Sequence, residues 1–234
     1  MIEVTYLTPT KYARLDHSEI IMYVRKLTSG LSKAYAIKSI YLFVKSYIKW
    51  TIEKVKTSID ILKSRKDICF SKVSLQIALP RAVDIPARYR LEEADTKVLK
   101  PYLSPDIYSL FLKTIIHVLA EVQVDGKWLD CDAILDPLLS HISWRREWNK
   151  DLDLSCIPSI FKIRIIGSCP DLPIDMALSP IKEVKEIAER QDVLSRINEH
   201  LERIRAMSPD DKLEHFMEHW GSDIVATLRS TRLR

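Results

Sequence analysis

Cys69, His117 and Asp132 are the residues whose types and surroundings could make a thiolate and use it. Cys69 closes the polar stretch Lys63-Ser64-Arg65-Lys66-Asp67 and opens an apolar run from Val73 to Ala82, where a helix should start. A free thiol, with a pKa of roughly 8.5, supplies little thiolate at neutral pH. Backbone N–H groups and the dipole at a helix N-terminus favour the anion. A histidine in contact can take the thiol proton and later give it to a leaving group. A carboxylate on the far imidazole nitrogen then fixes the tautomer and stabilises the imidazolium. His117 opens a strand-like segment to Val124, Asp125-Gly126 is a hairpin signal, and Lys127-Trp128-Leu129-Asp130-Cys131-Asp132 follows. One hairpin therefore places His117 and Asp132 on adjacent antiparallel strands. The chemistry this predicts is covalent: Cys69 attacks, His117 is base and then acid, and Asp132 orients the imidazole.

Other elements must hold these three in place. Asp16-His17-Ser18 is a helix start, and Ile20, Ile21, Val24 and Leu27 follow at helical spacing. Gly30 marks a break before a second helix from about Ser32, whose apolar positions include Ile37, Ile40, Val44 and Ile48. Thr57 to Leu62 predicts one more helical turn. The helix after Cys69 is apolar nearly all round and so should be central, with Pro80 predicting a kink or an early end. Strands are expected from Arg88 and over Ile115–Val124, Lys127–Asp132 and Lys162–Ile166, the last ended by Gly167. Asp95 to Ser109, with Pro101 and Pro105, reads as a loop. Beyond Pro180 the pattern predicts a helix over Ile181–Arg205 and a second one, capped by Ser208-Pro209-Asp210-Asp211, through Trp220.

These segments resemble the transglutaminase-like superfamily of papain-type cysteine enzymes. The family pattern runs Gly-x-Cys at a helix start, an apolar helix with Arg near its end, Gly-Ile-Pro-Ala-Arg, His-Ala-Trp-x-Glu-Val, Asp-Gly-x-Trp and x-x-Asp-Ala. Cys69, Arg81, Ile85-Pro86-Ala87-Arg88, His117, Glu121-Val122, Asp125-Gly126-Lys127-Trp128 and Asp132-Ala133 match it. The departures are Asp67 and Asp84 where the pattern has glycine, and Leu119 where it has tryptophan. The resemblance covers roughly residues 34–137 and implies the fold, a Cys69–His117–Asp132 triad, and amide-type substrates. It also admits a second reading: a catalytically poor module of this family kept for protein binding.

The bulk properties fit a soluble globular chain. Of 234 residues, 47% are hydrophobic and 29% charged, which provides for a core. The 36 basic and 32 acidic residues leave a net charge of +4, too small and too mixed to indicate nucleic acid. The N-terminus shows no secretory signal and no apolar run is long enough to span a membrane, so the expectation is a cytoplasmic protein with reduced thiols. Cys69, Cys131, Cys156 and Cys169 show no metal-ligand spacing, and a zinc site from Cys69, His117 and Asp132 would have only three ligands. Cys131 must point away from the face of Asp132. Arg88 is expected to pair with Glu121, Trp50 to pack in the core, and Trp144, Arg145, Arg146 and Trp148 to form a solvated helix end.

The expected fold is α+β. N-terminal helices and a central helix carrying Cys69 pack on an antiparallel sheet carrying His117 and Asp132, over residues 1–178. Residues 179–234 form a helical C-terminal extension, a lid or a homo-oligomer contact. The expected activity is acyl transfer from an amide or ester through an acyl-thioester, with a peptide, a protein or a small amide as substrate and no cofactor or metal. Water as acceptor would make it a hydrolase, and an amine would make it a transferase.

Overall fold

A computed structural model of the chain describes residues 4–140, 157, 159–172 and 190–221. Helix α1 (Ser18–Thr28) starts where His17 accepts a hydrogen bond from the Glu19 amide (3.2 Å). Gly30, at φ 74°, turns the chain into α2 (Lys33–Tyr47), whose buried face holds Ala36, Ile37, Ile40 and Val44. The short strand β1 (Lys49–Trp50) pairs in parallel with β2 (Lys66–Asp67), and α3 (Ser58–Ser64) lies between them under a Thr57/Asp60 capping box.

Helix α4 (Cys69–Arg81) is buried from Phe70 to Arg81. It runs to Arg81 because Pro80 stands one residue from its end, where the chain is already turning: the amides of Val83 and Ile85 both donate to the Pro80 carbonyl (3.0 Å each). Asp84 makes that turn in the left-handed region (φ 56°), a conformation glycine adopts without strain and Asp tolerates. This explains why the family pattern has glycine there.

Four antiparallel strands follow, in the spatial order β5-β4-β3-β6: β3 (Ala87–Asp95), β4 (Thr114–Val124), β5 (Lys127–Cys131) and β6 (Lys162–Cys169). Asp125 and Gly126 both take positive φ (49° and 79°), closing the β4–β5 hairpin as its sequence requires. Tyr89, Ala120 and Cys131 share the face turned to α4, where the Tyr89 hydroxyl bonds Ser74 (2.9 Å). The alternate positions carry a charged row. Arg88 bonds Glu121 (2.7 Å), Arg90 bonds Asp130 (2.5 Å) and Glu92, and Lys162 bonds Glu92 (3.0 Å).

Two expectations need correction. Residues 95–109 form a 3-10 helix (Thr96–Tyr102) and the short helix α5 (Pro105–Tyr108). Asp95 caps the first through the Lys97 amide (2.8 Å), and Pro105 starts the second, a position where its missing N–H costs nothing. Strand β6 does not stop at Gly167: it continues to Cys169 across a register shift, with Leu91 opposite Gly167 and Glu92 opposite Ile165.

After β5, α6 (Pro137–Ser140) precedes the C-terminal helices α7 (Gln191–Ala206) and α8 (Pro209–Trp220), the latter under the expected Ser208/Asp211 capping box. Helix α7 buries Val193, Leu194, Ile197, Leu201 and Ile204 and is tied to the core by Asn198, which bonds both the amide and the carbonyl of Ile52 (2.9 and 3.0 Å). Cys156, the cluster at residues 144–148, the start of the expected helix over 181–205 and the boundary at 178 lie outside the described residues.

Candidate active site

Cys69 is the first residue of α4, and Ile68, its N-cap, offers no side-chain hydrogen bond. The thiol therefore meets the backbone amides of the first turn, and those of Cys69 and Phe70 favour the thiolate. Burial opposes them and wins. The residue keeps partial exposure, yet its packed surroundings push the thiol up to about 12, and the charges of Asp132 and Asp67 add to the rise. The helix-start amides act in the direction the sequence leads one to expect, and burial acts against them.

His117 and Asp132 are both buried, and His117 Nε2 stands 2.7 Å from Asp132 Oδ2. Strand β5 ends at Cys131, opposite Ala120, so β4 runs beyond it to His117. Asp132, the first residue past β5, turns across to the imidazole. Its second oxygen accepts the Ile134 amide (3.3 Å). The same carboxylate that holds His117 thus also acts electrostatically on Cys69.

Two residues of α4 fix this turn, and sequence reading missed both. Gln76 donates to Cys131 Sγ (2.9 Å) and accepts the Ala133 amide (3.2 Å), gripping the residues on either side of Asp132. Lys72, one turn from Cys69, gives its ammonium to the carbonyls of Ile48 (2.6 Å) and Ile134 (2.7 Å). Burial brings Lys72 down to about 7. The available signal was polarity out of place: both lie on a helix otherwise apolar nearly all round. Cys131 faces Gln76 on α4 while its neighbours Asp130 and Asp132 reach Arg90 and His117, as strand alternation requires.

Residues 21–133 match the model of the transglutaminase-like superfamily. Over that stretch, just under half of the chain, the sequence is transglutaminase-like. No curated protein matches the chain. Among solved structures, it resembles one named "Putative Cysteine Protease" from Cytophaga hutchinsonii, with a TM-score of 0.50 and 17% identity. That likeness covers 76% of this chain and 48% of the other, so the chain spans about half the length of that relative; at this identity the likeness concerns the fold.

Within this transglutaminase-like core the other motif residues have structural partners. Arg81 donates to the carbonyls of Ala87 (2.9 Å), Thr8 (2.9 Å) and Pro170 (2.6 Å), joining the end of α4 to three segments. Arg88, besides bonding Glu121 as expected, lies 4.0 Å over the Trp128 ring. Trp50 is buried against Tyr102 (ring centroids 5.4 Å). Asp67, in place of the family glycine, is fully buried with Lys56 at 3.4 Å, and burial raises its pKa. Leu119 is likewise buried. A groove of about 1220 Å³ runs between residues 51–56 and α7, and Cys69, His117 and Asp132 do not line it.

Proposed function

We propose that this protein is a cysteine-dependent acyl-transfer enzyme in which Cys69 is the nucleophile, His117 the base and acid, and Asp132 the orienting carboxylate. The observation that carries the reading is the buried 2.7 Å contact of His117 Nε2 with Asp132, whose charge also bears on the thiol at the start of α4. In this reading Nδ1, the ring nitrogen not bonded to Asp132, exchanges the proton with sulfur. The thiol gives its proton to His117, and the sulfur bonds the carbonyl carbon of an amide or ester. The C–N or C–O bond then breaks, the imidazolium protonates the leaving group, and an acyl-thioester remains. Water or an amine attacks the thioester, passes its proton to His117 and releases the thiolate. The amides of Cys69 and Phe70, which favour negative charge on sulfur, sit at the helix end where an oxyanion could also be met.

A pKa near 12 is no obstacle to this cycle if His117 removes the proton, because the imidazolium so formed offsets the burial of the thiolate. It does favour a specific second reading, a binding module with an inert thiol. Intact-mass analysis of the full chain with a fluorogenic peptide set, and with a glutamine-rich protein plus a labelled primary amine, separates the two. The enzyme reading expects an acyl adduct on Cys69 and turnover, both absent in Cys69→Ser. Equal turnover by wild type and Cys69→Ser would overturn it.

A further inference from the structure

Helix α8 carries a constellation unconnected to the acyl-transfer site. His215 and His219 stand one turn apart on the same helical face, with ring centroids 4.1 Å apart, and Glu218 lies beside them. One ligand atom from each of the three falls within 4.8 Å of the others. Ligands around a tetrahedral zinc ion, bound at about 2.0–2.1 Å, stand about 3.4 Å apart, so small side-chain rotations close the set. Glu218 and His219 are exposed and free to make them, whereas His215 is partly buried.

Two further observations point to a ligand set instead of a solvated helix face. His219 Nδ1 lies 2.8 Å from the His215 carbonyl oxygen, so Nδ1 carries the proton and donates it there. That leaves the Nε2 lone pair to bind a metal, the tautomer a metal-binding histidine adopts when its other nitrogen donates to a backbone carbonyl. From α7, the buried His200 packs its ring 5.6 Å from that of His215 and limits its rotation.

We propose that His215, Glu218 and His219 form a surface site for a borderline divalent transition metal, Zn²⁺ foremost, with two imidazole nitrogens, one carboxylate oxygen and water completing the shell. Two nitrogens and one oxygen suit Zn²⁺ and Cu²⁺ and disfavour Mg²⁺ and Ca²⁺, which take all-oxygen shells. The open positions make it an exchangeable site, unlike the closed four-ligand sites that zinc uses to hold folds.

Isothermal titration of the EDTA-treated full chain with ZnCl₂ tests this. One equivalent should bind, MgCl₂ should give no heat, and His219→Ala or Glu218→Gln should weaken zinc by about 10-fold or more. Both substituted residues are exposed, so circular dichroism should show the fold intact. Cys69→Ser should bind as wild type does. Binding unchanged in His219→Ala, binding lost in Cys69→Ser, or no zinc binding at all would overturn the proposal.

Discussion

Two buried polar constellations meet on α4, one turn apart, and they are built on opposite plans. Around Lys72, each charge shown has a partner. Lys72 bonds two carbonyls, Asp136 accepts Arg205 (2.6 Å) and the Trp50 amide (3.1 Å), and Arg205 also bonds the Trp50 carbonyl (2.5 Å). This cluster joins α7 to β1 and to the chain after β5, and its chemistry is complete in the resting protein. Around Cys69, burial leaves the thiol hard to ionise, and the charge of Asp132, the carboxylate bonded to His117, adds to that. One region uses buried polarity to hold segments together; in the other, on the proposed reading, His117 takes the Cys69 proton and a buried ion pair forms. Burial of polar groups alone therefore does not mark a catalytic site.

Substitutions can sharpen or break this contrast. The largest effect should come from His117→Gln, which keeps a donor for Asp132 and removes the base. The rate of acyl-enzyme formation at Cys69 should fall by roughly 10²–10⁴-fold, while urea unfolding shifts by less than about 1 kcal/mol. Arg205→Ala should do the reverse, costing about 3–5 kcal/mol in urea because Asp136 is left buried and unpaired. Its folded fraction should still alkylate at Cys69 at the wild-type rate, and a large rate loss would merge the two regions.

Lys72 gives a pH signature. Its folded pKa, brought down to about 7, lies below the unfolded value of 10.5. Between those values the unfolded chain binds the extra proton, so stability rises with pH across that window and is flat in this respect below it. Unfolding free energies measured from pH 7 to 10 should rise for wild type and lose that slope in Lys72→Met. The smallest effect belongs to the turn after α4: Asp84→Val, forced to φ 56°, should lower stability by about 1–2 kcal/mol, read from the thermal midpoint.

The parts of this molecule legible in the sequence are those set by local rules. Apolar spacing gave α1, α2 and α4; Asp125-Gly126 gave the hairpin; the Ser208-Pro209-Asp210-Asp211 cap gave α8. The hairpin in turn made the His117–Asp132 contact predictable, because register follows from the turn. What stayed hidden depends on contacts distant along the chain. Gln76 and Lys72 reach residues after β5, and Arg205 reaches back to Trp50, none of which a local pattern reveals. The same holds for the Cys69 thiol: its helix start is local, whereas the burial that overrides it comes from the packed domain. His215 and His219 were not singled out in the sequence, and their ring geometry with His200 is a contact between two helices.

The most direct test is the pH dependence of iodoacetamide alkylation at Cys69, mapped by peptide mass spectrometry, in wild type and His117→Ala. If His117 takes the thiol proton, wild type should alkylate with an apparent pKa well below about 8.5, and His117→Ala should move it upward toward the value of about 12 that burial imposes. Slow alkylation in both proteins, rising only in strong alkali and indifferent to the substitution, would contradict a primed nucleophile and leave the transglutaminase-like core as a binding module.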